Sequence, residues 1–125
     1  MSPAQRRTIV ILVIAIGLLG AFWLGRAHAA NPTAVRNKQF ANRFYPHNPY
    51  QDACRSFIVM HESGWQIHAE NPSSHAYGLI QRMPPYNAWY MNHLRAQVVF
   101  GENYVRQRFG TWCQAKAFWT SHGWF

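Results

Sequence analysis

The chain has 125 residues, 49% of them hydrophobic and 16% aromatic, with 12 Lys or Arg, only four Asp or Glu, and a formal charge of +8. That length bounds it to one small domain. The charge suits anionic surfaces such as wall polymers, phospholipid headgroups or nucleic acid, but the arginines are scattered and no nucleic-acid-binding stripe or motif is visible.

The first stretch stands apart from the rest. Arg6 and Arg7 precede an uncharged apolar run over residues 8–24, which Arg26 follows. About 17 apolar residues is the low end of what spans a bilayer. Positive charge ahead of the run predicts a cytoplasmic N-terminus and an exported remainder. Ala27-His28-Ala29 is a small-x-small pattern that signal peptidase can cut. Residues 1–29 are therefore expected to be a signal peptide or a membrane anchor, and residues 30–125 the exported domain. Removing Arg6, Arg7 and Arg26 from the formal +8 leaves +5.

The exported part predicts four helices. Asn31-Pro32 is a helix start, with Asn as cap and Pro in the first turn. Val35, Phe40 and Phe44 suggest the buried face, and Tyr45-Pro46 the end. Asn48-Pro49 repeats the start signal. The second helix runs to about Ser63, with Cys54, Ile58 and Glu62 at i+4 spacing and Gly64 as the stop. Between residues 65 and 81, Asn71-Pro72-Ser73-Ser74 reads as a turn flanked by segments able to pair as a small hairpin. Met83-Pro84-Pro85 is irregular. A third helix is expected over residues 92–109, with Leu94, Val98, Gly101, Val105 and Phe109 on one face. Thr111 can cap a fourth, from Trp112 to about Ser121. The fold class is thus mainly α with a turn-rich insert. Cys54 and Cys113 are the only cysteines; behind an export signal they read as a disulfide. Closing a loop of roughly 60 residues is worth about 4 kcal/mol in the chain-entropy account.

Acid–base chemistry has few candidates here. The carboxylates are Asp52, Glu62, Glu70 and Glu102. Only Glu62 ends an apolar helix face, where partial desolvation raises a carboxyl pKa toward the range of a general acid. Aromatic and amide side chains around it, among them Trp65, Tyr77, Tyr86 and Trp89, suit a cleft that holds sugar rings. A zinc site starting at His61-Glu62 would need histidine at position 65, which is Trp65. No other histidine has ligand spacing, so no metal and no cofactor is expected.

The order of motifs carries more. Glu62-Ser63-Gly64-Trp65, then Asn71-Pro72-Ser73-Ser74, then Ala76-Tyr77-Gly78-Leu79-Ile80-Gln81 resembles the signature of the lytic transglycosylase branch of the lysozyme-like superfamily. More narrowly, it resembles short secreted actinobacterial and lactobacillary proteins related to resuscitation-promoting and aggregation-promoting factors. Asn92, Gln97, Gly101 and Tyr104 resemble that family's third helix. Arg108-Phe109-Gly110 with Cys113-Gln114-Ala115 resembles the start of its last helix, and His122-Gly123-Trp124-Phe125 its aromatic end. The resemblance covers about residues 31–125. It implies a lysozyme-like domain that cleaves the MurNAc–GlcNAc bond of peptidoglycan as a monomer, with Glu62 as the single acid and base. It also implies Ser63 orienting Glu62 or a substrate amide, and substrate contacts from Tyr77, Gly78, Gln81, Tyr104 and Trp119. Two departures stand out. His75 replaces the usual glycine before Ala-Tyr-Gly, and residues 82–90 are shorter than the family's Pro-Gly-rich loop with its Asp-Trp.

Two other outcomes stay open at this level. Glu70 could curl back toward Glu62 and supply the second carboxylate of a hydrolytic muramidase. Alternatively, the cleft could hold wall glycan without cutting it, as a binding or adhesion module.

Overall fold

The computed structural model describes residues 31–44 and 48–125. The expected export segment and the Tyr45-Pro46 stop lie outside the described residues. Five helices account for the regular structure: α1 (Pro32–Phe44), α2 (Pro49–Ser63), α3 (Ala88–Asn92), α4 (Leu94–Arg108) and α5 (Trp112–His122). The class is mainly α, and the described residues contain no strand. None of these helices is long and apolar enough to cross a membrane.

Local chemistry explains most helix ends. Asn48 accepts hydrogen bonds from the amides of Tyr50 and Gln51, and Pro49 occupies the first turn, where its missing N–H costs nothing. Gly64, at φ +60°, ends α2 with its amide bonded to the Met60 carbonyl. Thr111 caps α5 by accepting from the Gln114 amide, and Gly123 closes it at φ +75°. His61 and His122 fall in the last turns of α2 and α5. Each ring Nδ1 lies within 3 Å of the carbonyl four residues back, those of Phe57 and Phe118, which folds each histidine side chain onto its own helix.

Three details differ from the sequence expectation. In α1 the buried face is Ala34, Asn37 and Ala41, while Val35 is 38% exposed. Small residues let the helix approach closely, and Asn37 donates to the Trp65 carbonyl at 2.8 Å. Second, the helix expected over residues 92–109 runs from Leu94 to Arg108, and an additional short helix, Ala88–Asn92, precedes it. Asn87 caps a short α3 by accepting from the Tyr90 amide, and His93 is extended at φ −126°, separating α3 from α4. Third, the hairpin shrinks to two isolated antiparallel bridges, Glu70 with Tyr77 and Tyr77 with Arg82. Its turn is nevertheless built as a side-chain-capped turn, since Asn71 accepts from the Ser73 and Ser74 amides. Trp65, His75 and Gln81 all have φ between +53° and +64°, which bends the segment too sharply for a ladder.

The core joins Ile58 and Val59 of α2, Trp65 and Leu79 of the insert, Val98 and Val105 of α4, and Trp112 and Ala115 of α5. α2 and α5 are also linked covalently, because Cys54 and Cys113 sit at disulfide distance with Cα atoms 5.0 Å apart. Replacing both cysteines with alanine is expected to cost about 2–5 kcal/mol. Chemical denaturation of the variant and the parent checks this as a drop in midpoint.

Candidate active site

Three of the four carboxylates are committed to basic side chains. Arg55, buried, binds Asp52 through Nη1 at 2.9 Å and Glu102 through Nη2 at 2.8 Å. Its guanidinium also donates to Asn42 at 3.2 Å and lies over the Trp112 ring. Glu70 lies 3.1 Å from His75 Nδ1, on the exposed turn. Glu62 differs: its Oε1 accepts from the neutral indole of Trp119, at 2.8 Å. Burial pushes the Glu62 carboxyl above its ordinary value of 4.5. The Trp119 hydrogen bond and the nearby His61 pull it back, by less.

α5 places that indole. Trp119 packs edge-on against Phe57, with ring centroids 5.3 Å apart, and lies 4.7 Å from the His61 ring. The last turn of α2 thus presents Phe57, His61 and Glu62 to one tryptophan. Substituting Trp119 with phenylalanine keeps the packing and removes the donor. The Glu62 pKa is expected to rise further, which a ¹³C-detected carboxyl titration reads directly. No rise would mean that the indole does not bear on the acid.

Ser63 ties the end of α2 to the insert. Its hydroxyl donates to the Leu79 carbonyl at 2.8 Å; the Val59 carbonyl is farther, at 3.2 Å. One hydroxyl hydrogen serves one acceptor at a time. Leu79 belongs to the turn that holds Gln81. Gln81 Nε2 donates to the carbonyls of Ala69 and Gly78, so both amide hydrogens are used and Oε1 is the atom that can meet a ligand. Its φ of +53° is a left-handed conformation, a backbone strain that concentrates at functional sites.

Tyr77 and Gly78 lie deeper than their expected role suggests. Tyr77 is buried, its hydroxyl 2.8 Å from His68 Nδ1. A Cβ on Gly78 would stand 2.4 Å from Gln97 Oε1. The glycine at this position therefore accommodates another side chain of the same protein. Gln97, 0% exposed, bonds the Leu79 amide and the Ile67 and Tyr90 carbonyls. The sequence placed Gln97 in the third helix without a role. Its signal was an amide beside Val98 on the apolar face of α4.

Gln81 and Tyr104 line a cleft of about 530 Å³ whose other walls include Ile80, Phe100, Arg108 and Trp124. Arg108 Nη1 donates to the Tyr104 hydroxyl. The structure therefore brings together Glu62 with Trp119, and Gln81 with Tyr104. The Ser63–Leu79 bond joins the two pairs, while Tyr77 and Gly78 sit beneath the turn. His75, at φ +60°, occupies the left-handed position for which a glycine is the easier residue. Among the described residues, no group of three or more His, Cys, Asp or Glu is placed to hold a metal. Compared with protein-family models, curated proteins and solved structures, the chain matches none.

Proposed function

We propose that this protein cleaves the MurNAc–GlcNAc bond of peptidoglycan as a lysozyme-like lytic transglycosylase, with Glu62 as acid and then base. The observation that carries the reading is the environment of Glu62. Its hydrogen-bond partner is a neutral donor, the Trp119 indole, and burial pushes its pKa upward. Such a group holds a proton near neutral pH more readily than a solvated carboxyl.

In the proposed reaction, protonated Glu62 gives its proton to the glycosidic oxygen as the bond from C1 breaks. The 2-acetamido oxygen of the same sugar stabilises the positive charge at C1. Glu62, now a carboxylate, takes the proton of the C6 hydroxyl, and O6 closes on C1 as a 1,6-anhydro ring. Glu62 ends protonated, as it began, so the cycle needs no cofactor. Trp119 steadies the carboxylate between the two steps. Gln81 Oε1 and the Tyr104 ring meet the sugars, and Tyr77 and Gly78 act indirectly by shaping the turn that carries Gln81.

Hydrolysis would call for a second carboxylate about 5–9.5 Å from the first. The engagement of Glu70 with His75 and of Asp52 and Glu102 with Arg55 favours the one-acid route. The substrate lies outside the cytoplasmic membrane, in keeping with the export expected from residues 8–24. Digestion of purified peptidoglycan followed by mass spectrometry of the soluble products tests the proposal. Products ending in 1,6-anhydro sugars are expected. Reducing-end products would reassign the chemistry to hydrolysis, and uncut glycan bound to the protein would make this a wall-binding module.

A further inference from the structure

Arg82 and Phe100 line two clefts at once. The first is the cleft of Gln81 and Tyr104. The second, about 420 Å³, has Trp89, Asn87 and Arg95 in its wall. The Arg82 guanidinium stands 4.2 Å from the Phe100 ring centroid and 5.0 Å from that of Tyr90. Arg108 rests on Tyr104 and Trp124 in the first cleft, and Arg95 rests on Phe44 at the second.

None of the residues lining either cleft is Asp or Glu. The carboxylates are engaged elsewhere, on Arg55, His75 and Trp119. Arg82, Arg95 and Arg108 thus have no carboxylate partner among the described residues. A guanidinium laid on an aromatic face keeps its N–H edge available, and that edge matches a carboxylate in two-point geometry. Arg82 gives one N–H to the Pro85 carbonyl and Arg108 gives one to Tyr104, which leaves donors on both. Trp124, in the first cleft, is 52% exposed, and Trp89, in the second, is 60% exposed. Such faces stack on sugar rings.

We propose that the two clefts are one groove, and that it selects glycan strands by their carboxylates, the acid groups that muramic acid and its attached peptides carry. The polymer's identity rests on the glycan-cleaving reading; the preference for acid groups rests on the arginines. Arg82 stands between the two halves. Trp89 and Arg95 extend the groove's contact along the strand.

Binding to the full-length Glu62→Gln protein tests this without turnover. The ligands are a soluble peptidoglycan oligosaccharide with free carboxylates and the same oligosaccharide with those groups converted to neutral amides. The acid form is expected to bind about tenfold tighter at low salt, with the margin narrowing as salt rises. Adding Arg95→Gln or Arg108→Gln is expected to shrink that margin several-fold, and Arg82→Lys to do so while keeping the charge. Trp89→Ala should weaken both ligands alike. Equal affinity for the two forms would overturn the proposal, and so would an unchanged margin in all three arginine variants. Displacement by a single-stranded DNA oligomer at lower concentration than the glycan would reassign the groove to nucleic acid. Wild-type digestion separates the two claims. Anhydro products formed equally well from acid and amidated strands would sink the groove and leave the cleavage chemistry standing.

Discussion

Replacing Glu62 with glutamine is expected to lower glycan cleavage about 10²–10⁴-fold, the usual contribution of one positioned acid–base group, and to leave the helices in place. Glutamine can still present an oxygen to the Trp119 N–H, so the local packing survives. The substitution also has a signature in stability that a solvated surface glutamate would not show. The folded carboxyl titrates above its ordinary value of 4.5, so over that window the folded state binds more protons than the unfolded chain. Stability from this group is complete below the ordinary value and falls as pH rises through the folded value. Glutamine has no proton to lose. The variant should therefore gain on the wild type between an acidic pH, below the ordinary value, and a neutral one. Denaturant unfolding of both proteins at the two pH values checks the sign. A gain in the opposite direction would mean that the fold prefers Glu62 charged, which is incompatible with its serving first as an acid.

What local chemistry controls was legible in the sequence. Asn48-Pro49, Gly64, Thr111 and Gly123 are caps that act within a few residues, and α2 and α5 begin and end where they indicate. Glu62 was legible for a similar reason, since scarcity left few carboxylates and only one ended an apolar face. Its partner was less so. Trp119 lies 57 residues away and reaches Glu62 only because α5 packs on α2. In α1 the large apolar residues Val35, Phe40 and Phe44 suggested the buried face. Close packing instead selected the small residues Ala34 and Ala41, and an amide, Asn37, with a bond to make. α3 was hidden because its cap, Asn87, sits in an irregular stretch after two prolines. Gly78 misled most. Glycine next to a candidate binding segment reads as room for a ligand, whereas the close neighbour is Gln97, 19 residues later.

That amide should be the most sensitive point of the fold. Gln97 Oε1 accepts from the Leu79 amide at 2.8 Å, and Nε2 donates to the carbonyls of Ile67 at 2.8 Å and Tyr90 at 3.0 Å. One side chain thereby fastens both ends of the insert and the start of α4 to each other. Leucine fills nearly the same volume and makes none of these bonds. It would leave one N–H and two carbonyls unpaired in the interior, at about 1–3 kcal/mol each. A loss of about 3–5 kcal/mol is expected once relaxation is allowed, a large part of the ~5–15 kcal/mol that holds a domain together. Gly78→Ala attacks the same contact from the other side, because the new Cβ would stand 2.4 Å from Gln97 Oε1 at a backbone φ of +81°. Gly78→Ala and Gln97→Ala should not add. With Gln97 shortened to alanine the clash disappears, and Gly78→Ala should then cost only its left-handed backbone strain, about 1–2 kcal/mol. Chemical denaturation of Gln97→Ala, Gly78→Ala and their double variant measures the coupling, and strict additivity would show that the contact does not hold the turn. The functional consequence follows from position. The turn carries Gln81 and supplies the Leu79 carbonyl that anchors Ser63. Glycan cleavage by Gln97→Leu should therefore fall further than its folded fraction accounts for, because the acid at the end of α2 and the amide at the cleft are aligned through this one bonded turn.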